Sequence, residues 1–177
     1  YRLASELRER GMVLVATTTR ILPPAHLPVR HDREGTLRAL RANGIVCAGT
    51  PAEGGKLAEP SFADWMTLAD YTLVEADGSK GLPLKAHAPH EPVIPPQSNQ
   101  TILVLGAEGL GRTVAQAAHR PALYARLAGA EEGSVVTPAL AARMLRAEGL
   151  HDRVFVNQAD DWERWADAVR ALAAELD

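Results

Sequence analysis

Tyr71-Thr72-Leu73-Val74-Glu75-Ala76-Asp77-Gly78-Ser79-Lys80-Gly81 is an apolar run that ends in two carboxylates and a glycine turn. The run reads as a buried strand that delivers acid groups to the edge of a sheet, where Mg²⁺ and phosphate can be handled. Glu75 and Asp77 stand one residue apart. One of them could hold Mg²⁺ through water while the other orients a nucleophilic water, and Lys80 beyond Gly78 supplies the cation that phosphate needs. The competing reading is a solvated Asp-Gly turn that merely ends a strand.

Working outward, apolar runs alternate with helical patterns. Leu3, Ala4 and Leu7 share a helical face, and Met12-Val13-Leu14-Val15-Ala16 is a strand. A helix is predicted from about Gly35 to Ala42, ended by Asn43-Gly44, with the strand Ile45-Val46-Cys47-Ala48 after it. Thr50 to Pro60 reads as loop. Ser61 can then cap a helix carrying Phe62, Trp65, Met66 and Leu68. From Gly78 to Ser98 the chain is rich in proline with no helical period, so a long loop is expected before a strand at Thr101 to Leu105. Thr137-Pro138 opens a helix that Gly149 stops, the strand Val154-Phe155-Val156 follows, and Trp162, Trp165, Ala166, Val169, Leu172 and Ala173 mark one face of a closing helix. Such alternation predicts one α/β domain over residues 1–177, a mainly parallel sheet with helices on both faces and any ligand at the C-terminal strand edge.

Past the late strand, Asn157-Gln158-Ala159-Asp160 approaches the Asn-Lys-x-Asp pattern with which GTP-binding P-loop proteins read guanine. The Asp160 carboxylate can accept two hydrogen bonds from guanine N1 and N2, and Asn157 can span O6 and N7. Gln158 stands in the lysine position, so its stem can cover the base without the charge. The alternative is that Asn157 turns the chain and Asp160 caps the last helix.

Other residues add to the candidate set. Thr17, Thr18 and Thr19 place hydroxyls beyond a strand, where one could reach a γ-phosphate or its metal; the alternative is an edge strand prolonged by β-branched residues. Gly54-Gly55-Lys56 is not a phosphate loop, because Leu57 follows the lysine and the glycine spacing is wrong, although Lys56 can approach a ligand. His87, His90 and Glu91 lie in a Pro-rich loop without the helix that would fix a metal geometry, so a loop metal site at His90 and Glu91 is only a weak expectation. His119-Arg120-Pro121 is a second loop candidate, with Arg120 suited to an oxyanion. His26, His31 and His151 carry no argument.

Composition bounds these readings without choosing between them. The 177 residues are 46% hydrophobic and 23% charged, ordinary for one globular domain, and the net charge of −3 gives no footprint for nucleic acid or an anionic membrane. Cys47 is the single cysteine, which excludes an intrachain disulfide and fits a reducing cytoplasm. No apolar run reaches membrane-spanning length. The chain opens at Tyr1 inside a helical pattern that leads into a strand, as happens after a phosphate-binding loop in a P-loop fold; an N-terminal strand and its glycine-rich loop are therefore expected upstream.

Together these segments resemble the YqeC family of bacterial selenium cofactor biosynthesis or selenium-dependent hydroxylase accessory proteins. The likeness is carried by Val13 to Thr19, Gly55-Lys56-Leu57, Leu73 to Gly81, Leu84 to Pro95, His119-Arg120-Pro121 and Asn157 to Asp160, with Glu-Ala-Asp-Gly-Ser-Lys-Gly and Pro-His-Glu-Pro the most distinctive. The resemblance implies a P-loop NTPase related to the metallochaperone GTPases, with Glu75 as its Walker B acid and a Gly-Gly-Gly-Lys-Thr-Thr-type loop that this sequence does not contain. The full candidate set for Mg²⁺ with GTP or ATP is then Glu75 and Asp77 together with Thr17, Thr18, Thr19, Lys56, Gly78, Lys80, Lys85, Asn157, Gln158 and Asp160. The implied partners are a molybdenum or selenium cofactor and a client hydroxylase. The competing class is a non-catalytic module whose Pro-rich loop holds a cofactor or client on a P-loop-like scaffold.

Overall fold

The computed structural model describes residues 2–176; Tyr1, on which the reading of the opening turned, and Asp177 lie outside the described residues. The architecture is α/β with parallel sheets, as expected. The stretch read as one domain is built as two compact units, the first running to Gly78 and taking in Val93–Gln97, the second made of Ser79–Pro92 and the chain from Ser98 onward.

Unit one contains α1 (Arg2–Leu7), β1 (Val13–Thr17), β2 (Val29–Arg30), α2 (Arg33–Asn43), β3 (Ile45–Ala48), β4 (Thr50–Ala52), β5 (Lys56–Ala58) and β6 (Tyr71–Glu75). Four of the strands form a parallel sheet in the order β2-β3-β1-β6. All five residues of β1 are buried, because alternate side chains enter two different cores. Leu14 and Ala16 pack with Ala39 and Leu40 of α2 and with Trp65, while Val13 and Val15 pack with Ala4 of α1 and with Leu57. Each face of the sheet therefore has its own helix. α2 is well terminated: the Asp32 carboxylate accepts from Gly35 N at 2.7 Å, and Gly44, at φ 69°, returns its N–H to Leu40 O.

Two expectations fail in this unit. The loop over Thr50 to Pro60 contains an antiparallel hairpin of β4 and β5, whose turn uses Gly54 and Gly55, both at φ 70°. The helix expected after Ser61 is a single 3-10 turn, Trp65–Thr67. Local side chains compete for its backbone, since Thr67 Oγ1 donates to Asp64 O at 3.1 Å and Thr72 Oγ1 donates to Met66 O at 3.0 Å.

Unit two contains β7 (Leu84–Lys85), β8 (Ile102–Gly106), α3 (Val114–Ala117), β9 (Ala118–His119), α4 (Pro121–Ala128), α5 (Pro138–Glu148), β10 (Arg153–Asn157) and α6 (Trp162–Leu176). β8 and β10 pair in parallel, and so do β7 and β9. Leu103, Val154 and Val156 turn toward the core formed by α3 to α6, whereas Ile102, Val104 and Phe155 on the opposite face are exposed. α5 begins and ends as its sequence signals require, with Thr137 Oγ1 accepting from Leu140 N and Gly149 left-handed. On α6, Trp165, Ala166 and Leu172 are buried; Trp162, expected on the same face, is exposed beneath the Arg170 guanidinium.

The proline-rich stretch is not all loop, because Leu84–Lys85 finds a partner in β9. His119-Arg120-Pro121, expected as loop, is the junction of that strand with α4, where Pro121 occupies the first helical position.

Candidate functional site

The register of unit one builds the first candidate site. Residues of β1 and β6 pair from Val13 with Tyr71 to Thr17 with Glu75, so the threonine run and the acid motif meet at the C-terminal ends of adjacent parallel strands. Thr17 is fully buried, and its hydroxyl lies 2.9 Å from Glu75 O and 3.1 Å from Glu75 Oε2. Thr19 N donates to Thr17 Oγ1 at 2.9 Å, and Thr19 Oγ1 donates to Glu75 Oε2 at 2.9 Å. The two hydroxyls thus fix the carboxylate's orientation from one side. Thr18 points elsewhere: its N donates to Glu75 O, while its hydroxyl donates to Val93 O at 2.5 Å. Val93 N in turn donates to Ala76 O, which fastens Val93–Gln97 to unit one.

A cleft of about 500 Å³ opens on Glu75, with Arg20, His26 and Lys56 among its walls. It brings Lys56 and Glu75 together as candidates. Lys56 opens β5 just past the hairpin turn, so Gly54-Gly55-Lys56 does not join a strand to a helix as a phosphate loop does. Arg20 and His26 were missed in the sequence. Arg20 follows the threonine run directly, and that position was the available signal; His26 had none. The cleft holds one strand-end carboxylate, Glu75, with cationic side chains on its wall, and Asp77, two residues on, is not among its lining residues. This suits Mg²⁺, which takes few carboxylates and keeps water and phosphate oxygens as ligands.

In unit two, β10 ends at Asn157 opposite Gly106, and Gln158 is left-handed at φ 59°. A side chain at position 106 would collide with Gln158 Oε1, so glycine there is what lets Gln158 lie over the end of β8. Asn157, Gln158 and Asp160 are all exposed. The cap of α6 is Asp161, whose Oδ1 accepts from Arg164 N at 3.2 Å. Asp160 therefore does not serve as the helix cap that was its plain alternative.

Lys85, Glu91 and Arg120 meet in a partly buried ion cluster. Lys85, with 6% of its side chain exposed, places Nζ 3.1 Å from Glu91 Oε2, and Arg120 donates to the same oxygen at 2.6 Å. Burial pushes the Glu91 carboxyl up, but the hydrogen bonds from Arg120 and Lys85 outweigh it and hold the group at about 2. Glu91 thus spends its charge on two side-chain cations. Among the described residues no three His, Cys, Asp or Glu side chains gather as a metal-binding group. His87 instead pairs with Glu148, its N and Nδ1 lying 2.6 and 2.9 Å from the two carboxylate oxygens. Lys80 is exposed and left-handed at φ 54°. Cys47 is buried and its thiol is pushed up to about 11, which makes it a core side chain and not a nucleophile. No described helix is long and apolar enough to cross a membrane.

Comparison with known proteins covers the resemblance segments from Val13 to Pro121, while Asn157 to Asp160 lie beyond the residues that the family model matches. A family model described as YqeC protein matches residues 1–122. The uncharacterized protein YqeC of Escherichia coli (strain K12) is 35% identical over 141 residues, which cover 73% of this chain and 55% of that relative. The chain thus spans about half the length of the curated relative it matches. No solved structure matches. A family match over most of the chain, through the strand-end acid and the threonine run that face each other in unit one, shows that the chain belongs to the YqeC family.

Proposed function

We propose that the chain is the body of a Mg²⁺-dependent nucleoside triphosphatase, directed to GTP, that serves the maturation of selenium-dependent molybdenum hydroxylases. The observation that carries the hydrolytic reading is the Glu75 carboxylate, set by Thr17 and Thr19 at the C-terminal edge of a parallel sheet and opening on a cleft with Lys56 and Arg20. Ligands of open α/β sheets bind at that edge.

Glu75 and Asp77 would hold Mg²⁺, which when bound neutralises charge on the phosphoryl oxygens. Glu75, oriented by two hydroxyls, polarises a water for attack. Lys56 and Arg20 supply positive charge to the cleft wall, where it stabilises charge that develops during transfer. The hydroxyls of Thr17 and Thr19 keep the carboxylate from rotating into an unproductive position. The accessory role in selenium and molybdenum chemistry is supported by the family likeness alone, and the cytoplasm is the compartment in which such maturation would take place.

The test is nucleotide hydrolysis by this chain and by a longer version with the length of its relative, with GTP and ATP, with and without Mg²⁺. Mg²⁺-dependent turnover of GTP in either form supports the proposal. Absence of turnover in both, with nucleotide still bound, favours the non-catalytic module.

A further inference from the structure

We infer that unit two carries a binding site for a tetrahedral oxyanion, of the phosphate class, formed by the Arg120 guanidinium and the His119 imidazole, with the Lys80 charge acting on it. The site rests on residues of unit two alone and goes beyond the reading of Glu75.

The frame is set by the short parallel pair. Lys85 and His119 are register partners, and Ala86 N donates to His119 O at 3.1 Å, which holds the histidine beside the buried lysine. Arg120 follows in the left-handed region at φ 64° and ψ 63°, a conformation that a non-glycine residue keeps only where its surroundings impose it. From there its side chain reaches Glu91, which accepts from Arg120 at 2.6 Å through the same oxygen that faces Lys85. The guanidinium is thereby pinned on one edge only. Five N–H donors belong to that group, and among the described residues Glu91 is its one side-chain acceptor.

His119 supplies the second observation. Its Nδ1 is buried and has no hydrogen-bond partner among the described residues, whereas buried polar atoms are nearly always paired. Burial, followed by the charges of Arg120, Lys85 and Lys80, holds its proton affinity below the ordinary imidazole value, and Glu91 opposes them only in part. The ring is therefore neutral and can offer Nδ1–H as a donor. A neutral donor set among cations is unsuited to a metal ion. It suits a ligand that carries only acceptors and negative charge, and a tetrahedral oxyanion offers several oxygens to donors arriving from different directions. Arg120 also stands at the N-terminal end of α4, where the helix dipole favours an anion.

Inorganic phosphate is the probe, added without Mg²⁺ or nucleotide to the 177-residue chain and followed by two-dimensional NMR of the His119 ring and the Arg120 side chain. Sodium chloride at matched ionic strength is the reference. The result is thus independent of whether Glu75 supports hydrolysis. Saturable shifts of both side chains with phosphate, absent with chloride, are expected. Lys80→Gln should weaken the dissociation constant about threefold and Arg120→Asn about tenfold, in keeping with the loss of charge-assisted bonds. Non-saturable shifts, shifts equalled by chloride, or unchanged affinity in both variants would overturn the site. If Arg120→Asn fails to fold by circular dichroism, the exposed Lys80→Gln decides alone, and an unchanged constant there refutes the assignment.

Discussion

Thr17 sits directly opposite Glu75 at the last paired position of β1 and β6, and its buried hydroxyl is within hydrogen-bond distance of both the main-chain carbonyl and the carboxylate of that acid. One side chain therefore ties the end of the sheet to the candidate catalytic group. Stability and chemistry can be separated at this contact, because Thr17 is buried whereas Glu75 is exposed.

Replacing Thr17 with valine keeps the shape and removes the hydroxyl. The fold should lose about 1–2 kcal/mol, since Thr19 N and the Glu75 groups each lose a partner at a largely buried position. Urea denaturation measures the loss. Thr19→Val, at a less buried position, should cost less stability while still loosening Glu75. Equal stability of Thr17→Val and the parent would show that these hydrogen bonds contribute nothing net.

Glu75→Gln should slow nucleotide hydrolysis by about 100-fold or more while nucleotide affinity changes little, because a group that polarises water acts mainly in the transition state. Steady-state rates and equilibrium binding on the same samples separate the two effects. An unchanged rate would transfer the role to Asp77 or remove it from this strand end.

Glu91 gives a prediction about acid stability. Its folded value of about 2 lies below the ordinary 4.5, so the ionised carboxylate stabilises the fold at pH above 4.5, and that contribution is lost as pH falls from 4.5 toward 2. Glu91→Gln should therefore be less stable than the parent by about 1–3 kcal/mol at neutral pH. The gap should narrow as the medium is acidified through that window. A constant difference from neutral pH down to about 2 would show that the cluster with Lys85 and Arg120 does not stabilise the ionised form.

Tyr124 is fully buried in the core of unit two, and its hydroxyl has no partner among the described residues. Burial, reinforced by the charge of Glu148, keeps its proton on well beyond the ordinary phenol range. Tyr124→Phe removes an unsatisfied polar atom without leaving a large cavity, so it should be neutral or stabilising by up to about 1 kcal/mol. The melting temperature should stay level or rise. A clear fall would mean that the hydroxyl is satisfied by ordered water.

The features legible in the sequence are those set by local pattern and strand ends. Met12 to Ala16 and the run ending at Glu75 read as strands from their apolar residues, and parallel pairing of two such strands brings the polar residues at their ends together. α5 was readable because Thr137-Pro138 and Gly149 act within one turn of the helix they bound. Residues that reach the cleft by tertiary folding were not legible: Arg20 and His26 arrive on an irregular segment with no period. α4 escaped because its apolar residues lie in an alanine-rich run of only eight residues behind a Pro that resembles loop punctuation. The helix read at Phe62 to Leu68 shows the opposite error, a correct apolar face on a segment whose backbone groups are claimed by Thr67 and Thr72.

Base choice supplies the last prediction, at Asp160. Since Asp161 caps α6, Asp160 is exposed past the end of β10 with no capping work of its own, and Asn157 closes the strand before it. On the proposed guanine reading, the Asp160 carboxylate accepts from N1 and N2 of the base. Asp160→Asn then sets an amide donor against the guanine amine, and each polar group left unpaired costs about 1–3 kcal/mol. GTP affinity should fall by roughly tenfold or more. Xanthine carries a carbonyl where guanine carries that amine, so the asparagine amide can donate to it, and XTP should bind the variant better than GTP does. Fold stability should hardly change, because Asp160 makes no cap. Competition binding of GTP, XTP and ATP to both proteins checks the exchange. If the parent prefers ATP, or the variant keeps its GTP affinity, guanine recognition at Asn157 and Asp160 is refuted, while Glu75 and its two threonines would still be open to a nucleotide held through its phosphates.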